Sequence, residues 1–144
     1  MQVGSSTHWV APINSKETID AVLAFKTWAV VGLGNNPERA AFGVAKLLQD
    51  KGHRIIPVYP RAEEVHGEVG YKTLGEIPEQ VDVVDCFVNS KLVGKVVDEA
   101  IAIGAKAVWL QLDVIDHEAV ARAQAAGLLT VMDRCPAIEY RARA

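Results

Sequence analysis

A single α/β domain built on a doubly wound parallel sheet is predicted from three features of the sequence. Five short apolar runs rich in Val, Ile, Leu and Ala alternate with segments whose apolar residues recur at helical spacing. The first run, WAVV from Trp28, carries no charge, as expected of a strand covered on both faces. That run passes directly into Gly32-Leu33-Gly34 and then into a helix from about Arg39, the strand–turn–helix order of a phosphate-binding crossover.

In chain order, residues 1–13 are irregular, contain Pro12 and read as an arm that crosses the surface, with Trp9 and Val10 as its expected anchors. The domain then spans 14–144. Asn14 with Glu17 resembles a capping box, and Ile19, Val22, Leu23 and Lys26 share one face of the helix that follows. After the 28–33 strand, Ala40, Ala41, Val44, Leu47 and Leu48 define a 39–51 helix, which Gly52 stops. RIIPVYP is the second strand. Residues 62–81 form a long connection with one helical turn near Leu74–Ile77, a place for a mobile flap. The third strand is 81–87, followed by a helix capped by Ser90 with Val93, Val96, Val97, Ala100 and Ile101 on one face. The fourth strand is 107–112, Asp116 caps a 117–126 helix, LLTVM is the fifth strand, and the tail forms a short terminal helix. Right-handed crossovers then give a Rossmann-like sheet, expected in the order 3-2-1-4-5, with ligand at the carboxyl ends near the switch between strands 1 and 4.

Composition narrows the function. A chain of 144 residues makes one domain, too short for a catalytic domain beside a cofactor domain. A net charge of −3 with dispersed basic residues argues against nucleic-acid binding. No stretch reads as a signal peptide or membrane span, so the expected location is the cytoplasm. Two distant cysteines make no disulfide framework or CxxC motif, and the four histidines lack metal-ligand spacing, so no metal is expected. Cys86 reads as a small buried hydrophobe.

The candidate site collects at the strand ends. Gly32 and Gly34 allow close backbone approach, and the amides opening the next helix point at whatever lies above the strand. The third glycine of a GxGxxG fingerprint would fall at Pro37; instead a longer loop runs through Phe42 and brings Arg39 to the mouth, while Gly43 is expected to permit close helix-on-strand packing. Tyr59-Pro60-Arg61 ends the second strand with a cation, which suits a phosphorylated ribose better than the free diol of NAD. Val88 and Asn89, Gln111, and Arg134 with Cys135 complete the set.

Taken together, VVGLGNNPERAAFGVAKLL, RIIPVYPR, the VHGE turn, VDVVDCF, AIAIGAKAVWLQL and VMDRC resemble the small stand-alone CoA-binding protein family, whose fold is similar to the CoA-binding domain of the succinyl-CoA synthetase alpha subunit. The resemblance covers about residues 17–140. It implies that the loop carrying Gly32, Leu33, Pro37, Arg39 and Gly43 faces the CoA phosphates. Pro60 and Arg61 match the family's second-strand ending, whereas Tyr59 departs from it, and Val88-Asn89 stands where a cation often follows the Phe. Trp109 to Gln111 and Asp133-Arg134-Cys135 match. The expected function is therefore binding of coenzyme A or an acyl-CoA with no catalytic residues and no chemistry of its own. The alternatives are an NADP-dependent oxidoreductase-type nucleotide binder, and a ligand-free regulatory module working through a protein partner that the sequence does not identify. Cys135 is either a thiol that exchanges with CoA or a buried turn cysteine before Pro136.

Overall fold

The computed structural model describes residues 11–144, so the expected anchors Trp9 and Val10 lie outside the described residues. Five parallel strands, β1 (Thr27–Val31), β2 (Arg54–Val58), β3 (Val83–Cys86), β4 (Ala107–Leu110) and β5 (Leu129–Val131), form one sheet. Helices α1 (Lys16–Leu23), α2 (Ala40–Asp50) and α5 (Pro136–Ala142) cover one face, and α3 (Ser90–Ala102) and α4 (His117–Ala125) cover the other. Alternation along β1 sends Trp28 and Val30 to the first face and Ala29 to the second, so both cores are tied to the same strand. A 3₁₀ turn at Leu74–Glu76 fills the expected place in the long connection and buries Leu74.

The strands lie in the order β2-β1-β3-β4-β5, so β3 sits between β1 and β4 instead of outside β2. Pro57 gives the physical reason. Gly32 donates to the carbonyl of Val58, which places that residue's backbone toward β1 and turns the backbone of Pro57 outward. Proline has no N–H to offer a strand on that side, which makes β2 an edge. The exposed side is met instead by Tyr71, which donates to Pro57 O and accepts from Tyr59 N, both at 3.0 Å. The crossovers consequently diverge between β1 and β3, and the ligand crevice opens there.

Two helix caps fall one residue from their expected places. Ser15, not Asn14, caps α1, accepting from Thr18 N, while the Asn14 amide exchanges two hydrogen bonds with the backbone of Met132. Asn89, not Ser90, caps α3, accepting from the amides of Lys91 and Leu92; Ser90 Oγ instead bridges to Asp113 O and Ile115 N. Asp116 caps α4 as expected. A Cβ at Gly43 would meet nothing within 4 Å, so this glycine faces outward and is not a helix-on-strand packing point.

The connection after β2 is tied down. His66 hydrogen-bonds Phe42 O and stacks on its ring, Gln49 reaches His66 O and Glu68, and Arg54 binds both Glu68 and Glu79. A segment held at this many points is a wall of the cleft and not a loose flap.

Candidate functional site

Above the carboxyl ends of β1, β2, β3 and β4 lies a cleft of three adjoining compartments, all of which share Gly32 and Arg39. The first, about 400 Å³, is polar and lies between the glycine loop and the end of β2, with Tyr59, Arg61 and Glu63 on its wall. A second, about 240 Å³, runs between the start of α2 and the end of β4, against Gln111. The third, about 470 Å³, is walled by Val31, Val58, Pro60, Phe87, Val88 and Leu92.

Local chemistry explains why these positions converge. Gly32 has φ +100° and comes so close to Phe87 that an added Cβ would stand 2.5 Å from its carbonyl oxygen. Only glycine holds β1 and β3 at this separation while turning the chain into the loop. At Gly34 a Cβ would meet the Glu63 carboxylate at 2.9 Å and the Tyr59 ring at 3.2 Å. Arg39 flanks the start of α2 without a side-chain cap, and although the Phe42 amide bonds Arg39 O, no side chain takes the amides of Ala40 and Ala41; α3 opens on the same cleft with Asn89 already occupying its amides. Asn89 thus has a structural task at the position where a cation is absent.

Of the residues expected at the site, Gly32, Gly34, Arg39, Tyr59, Pro60, Arg61, Val88, Asn89 and Gln111 line the cleft. Leu33 points into the α1/α2/α5 core, fully buried, and Phe42 packs on His66. Arg134 lines a separate cavity near α1 and α5, with Glu139 and Arg143. Cys135 is buried as the N-terminal flanking residue of α5.

Asn35, Glu63 and Lys72 are polar cleft residues with no signal in the sequence motifs. Asn35 and Glu63 form a latch: Asn35 N donates to Glu63 Oε1 at 2.9 Å, and Asn35 Nδ2 donates to Glu64 O at 2.6 Å. A carboxylate therefore sits on a loop amide that a phosphate would use. Lys72 reaches the third compartment from the long connection. The acid does follow β2, but four residues beyond Tyr59, where spacing from the strand end gave no reason to look.

The buried titratable groups Cys86 and His53 line none of the three compartments. Cys86 is fully buried, and burial with the nearby Asp85 pushes its thiol well above the usual range, so it stays protonated. Burial lowers the His53 pKa, and this ring is committed to Phe25 O and the Tyr140 hydroxyl. Among the described residues no group of three or more His, Cys, Asp or Glu side chains is arranged to hold a metal ion, and no helix is long and apolar enough to cross a membrane.

A parallel α/β sheet whose crossovers diverge beside a glycine turn is a Rossmann-like fold with its crevice at the carboxyl strand ends. The chain belongs to the CoA binding domain family, whose model matches residues 26–141. It is 34% identical over 122 residues to YneT of Bacillus subtilis, an uncharacterized protein, covering 84% of this chain and 90% of that one. It is 37% identical over 81 residues to the alpha subunit of an ADP-forming acetate–CoA ligase II of Pyrococcus furiosus, covering 56% of this chain but only 18% of the ligase subunit. Among solved structures, a hypothetical protein from Pyrococcus horikoshii superposes with a TM-score of 0.85 at 38% identity, covering 94% of this chain and 98% of that one.

Proposed function

We propose that this protein binds coenzyme A or an acyl-CoA and performs no chemistry of its own. The observation that carries the reading is the convergence of the Gly32 turn, the uncapped start of α2, Arg39 and Arg61 on one cleft at the β1/β3 crevice. CoA has two kinds of phosphate to satisfy these groups, a pyrophosphate and a ribose 3′-phosphate. The pyrophosphate lies at Gly32 and Arg39, taking the Asn35 amide from Glu63, and the 3′-phosphate lies at Arg61. The pantetheine arm runs past Gln111, whose Oε1 is buried without a hydrogen-bond partner and accepts an amide N–H. Cys135 lines none of the three compartments, so no thiol exchange is routed through it.

Arg61→Ala should weaken CoA by about 1–3 kcal/mol, the worth of a charge-assisted bond, and spare dephospho-CoA. Titration calorimetry with both ligands checks this; equal losses would refute the 3′-phosphate assignment.

The second reading, an NADP-type binder, gains one observation. Glu63 supplies the cleft with a carboxylate, the partner that a free ribose diol seeks. Against it, Pro37 stands where the dinucleotide fingerprint has its third glycine, and the longer loop through Phe42 takes part of the path that a nicotinamide half would follow. The expected order of affinity is CoA above NADP above NAD, measured at one ionic strength because phosphate contacts weaken with salt. NADP binding more tightly than CoA would sink the proposal.

A further inference from the structure

The cleft holds more positive charge than Arg39 and Arg61 provide. Lys72 stands on the wall of the third compartment together with Gly32 and Arg39. Its position is fixed by the residue before it: Tyr71 is bound through both backbone groups to the outer edge of β2, at Pro57 and Tyr59. The anchored backbone holds Lys72 beside Tyr59 and Pro60, which line the same compartment.

The pairing of charges is uneven. Lys16, Lys46, Arg54, Lys106, Arg122 and Arg143 each hold a carboxylate within 4.0 Å, and Arg39, Arg61 and Lys72 are three of the nine described Lys and Arg side chains that hold none. Three unpaired cations thus meet at one cleft of a chain whose net charge is −3. Glu63, the acid lining the cleft, lies in the first compartment on the Arg61 side, so the unopposed charge is concentrated where Lys72 and Arg39 share a wall. Val31, Val58, Phe87 and Val88 surround that wall and exclude water from one side, which strengthens attraction to an anion placed beside it.

We infer that Lys72 is a phosphate-contacting residue that grips the pyrophosphate together with Arg39, leaving the ribose phosphate to Arg61. This rests on the CoA reading above. It assigns the two phosphate sites of the ligand to different cations, and the assignment separates Lys72 from Arg61 by experiment.

Calorimetric titration of wild type, Lys72→Met and Lys72→Arg with CoA and with dephospho-CoA, repeated at low and high salt, tests it. Lys72→Met keeps the stem and removes the charge; it should raise Kd about three- to thirtyfold for both ligands equally and flatten the salt dependence, while Lys72→Arg restores most of the affinity. Lys72 is exposed and outside every helix and strand, so the melting temperature without ligand should not move. An unchanged Kd and salt dependence in Lys72→Met, with wild type binding CoA, overturns the inference alone. A loss confined to CoA also overturns it, by moving Lys72 to the ribose phosphate. Wild-type protein indifferent to CoA overturns the proposed function and this inference with it.

Discussion

Asp85→Val should make the protein more stable at neutral pH, by about 2–4 kcal/mol after allowing for slight overpacking. Asp85 is fully buried in β3, between Val30 of β1 and Trp109 of β4 in the sheet register, and neither carboxyl oxygen has a hydrogen-bond partner. Burial pushes its pKa well above the ordinary 3.8, so the folded state keeps the proton that the unfolded chain gives up. The sign follows from that difference. Below pH 3.8 the carboxyl is neutral in both states and the linkage contribution is fully present. As pH rises, the unfolded state gains stability by ionising, and the fold loses about 1.4 kcal/mol per pH unit until the folded group also titrates. Melting temperatures of wild type, Asp85→Val and Asp85→Asn from pH 4 to pH 8 check this. The gap between wild type and either variant should widen as pH rises. A Val variant less stable than wild type at pH 7 would mean that the carboxyl has a partner inside the core.

Much of the fold was legible because its strands are short apolar runs separated by helices of clear period, and the Gly32 turn marked the working end of the sheet. The position of β3 was missed although RIIPV contains the relevant signal: a proline turned outward marks an edge, which excludes a strand beyond β2. The shifted caps have a different cause. Asn14 and Ser15, like Asn89 and Ser90, are adjacent residues equally able to cap, and the choice is made by partners remote in sequence, Met132 for Asn14 and Asp113 with Ile115 for Ser90. Glu63 and Lys72 escaped for a related reason. They reach the cleft from an irregular connection whose path is set by Tyr71 on the β2 edge and by Asn35 on Glu63 and Glu64, none of which has a periodic signature.

Gly32→Ala should cost about 2–4 kcal/mol of stability and weaken CoA at least a hundredfold, combining backbone strain with a clash that no rotamer relieves. The residue sits at φ +100°, a conformation that side chains rarely adopt, and its Cβ would stand 2.5 Å from Phe87 O. Because the obstacle is backbone, relief requires β1 and β3 to part or the loop to turn elsewhere. Either movement carries away Arg39, which shares all three compartments with Gly32. Gly43→Ala is the matched control. It lies within α2, where a Cβ meets nothing within 4 Å, so alanine should stabilise the helix by about 0.5–1 kcal/mol and leave CoA binding unchanged. Denaturant melts and calorimetry on the pair separate the two roles of glycine on this segment. If Gly32→Ala bound CoA as wild type does, the close approach of β1 and β3 would not be what forms the phosphate site.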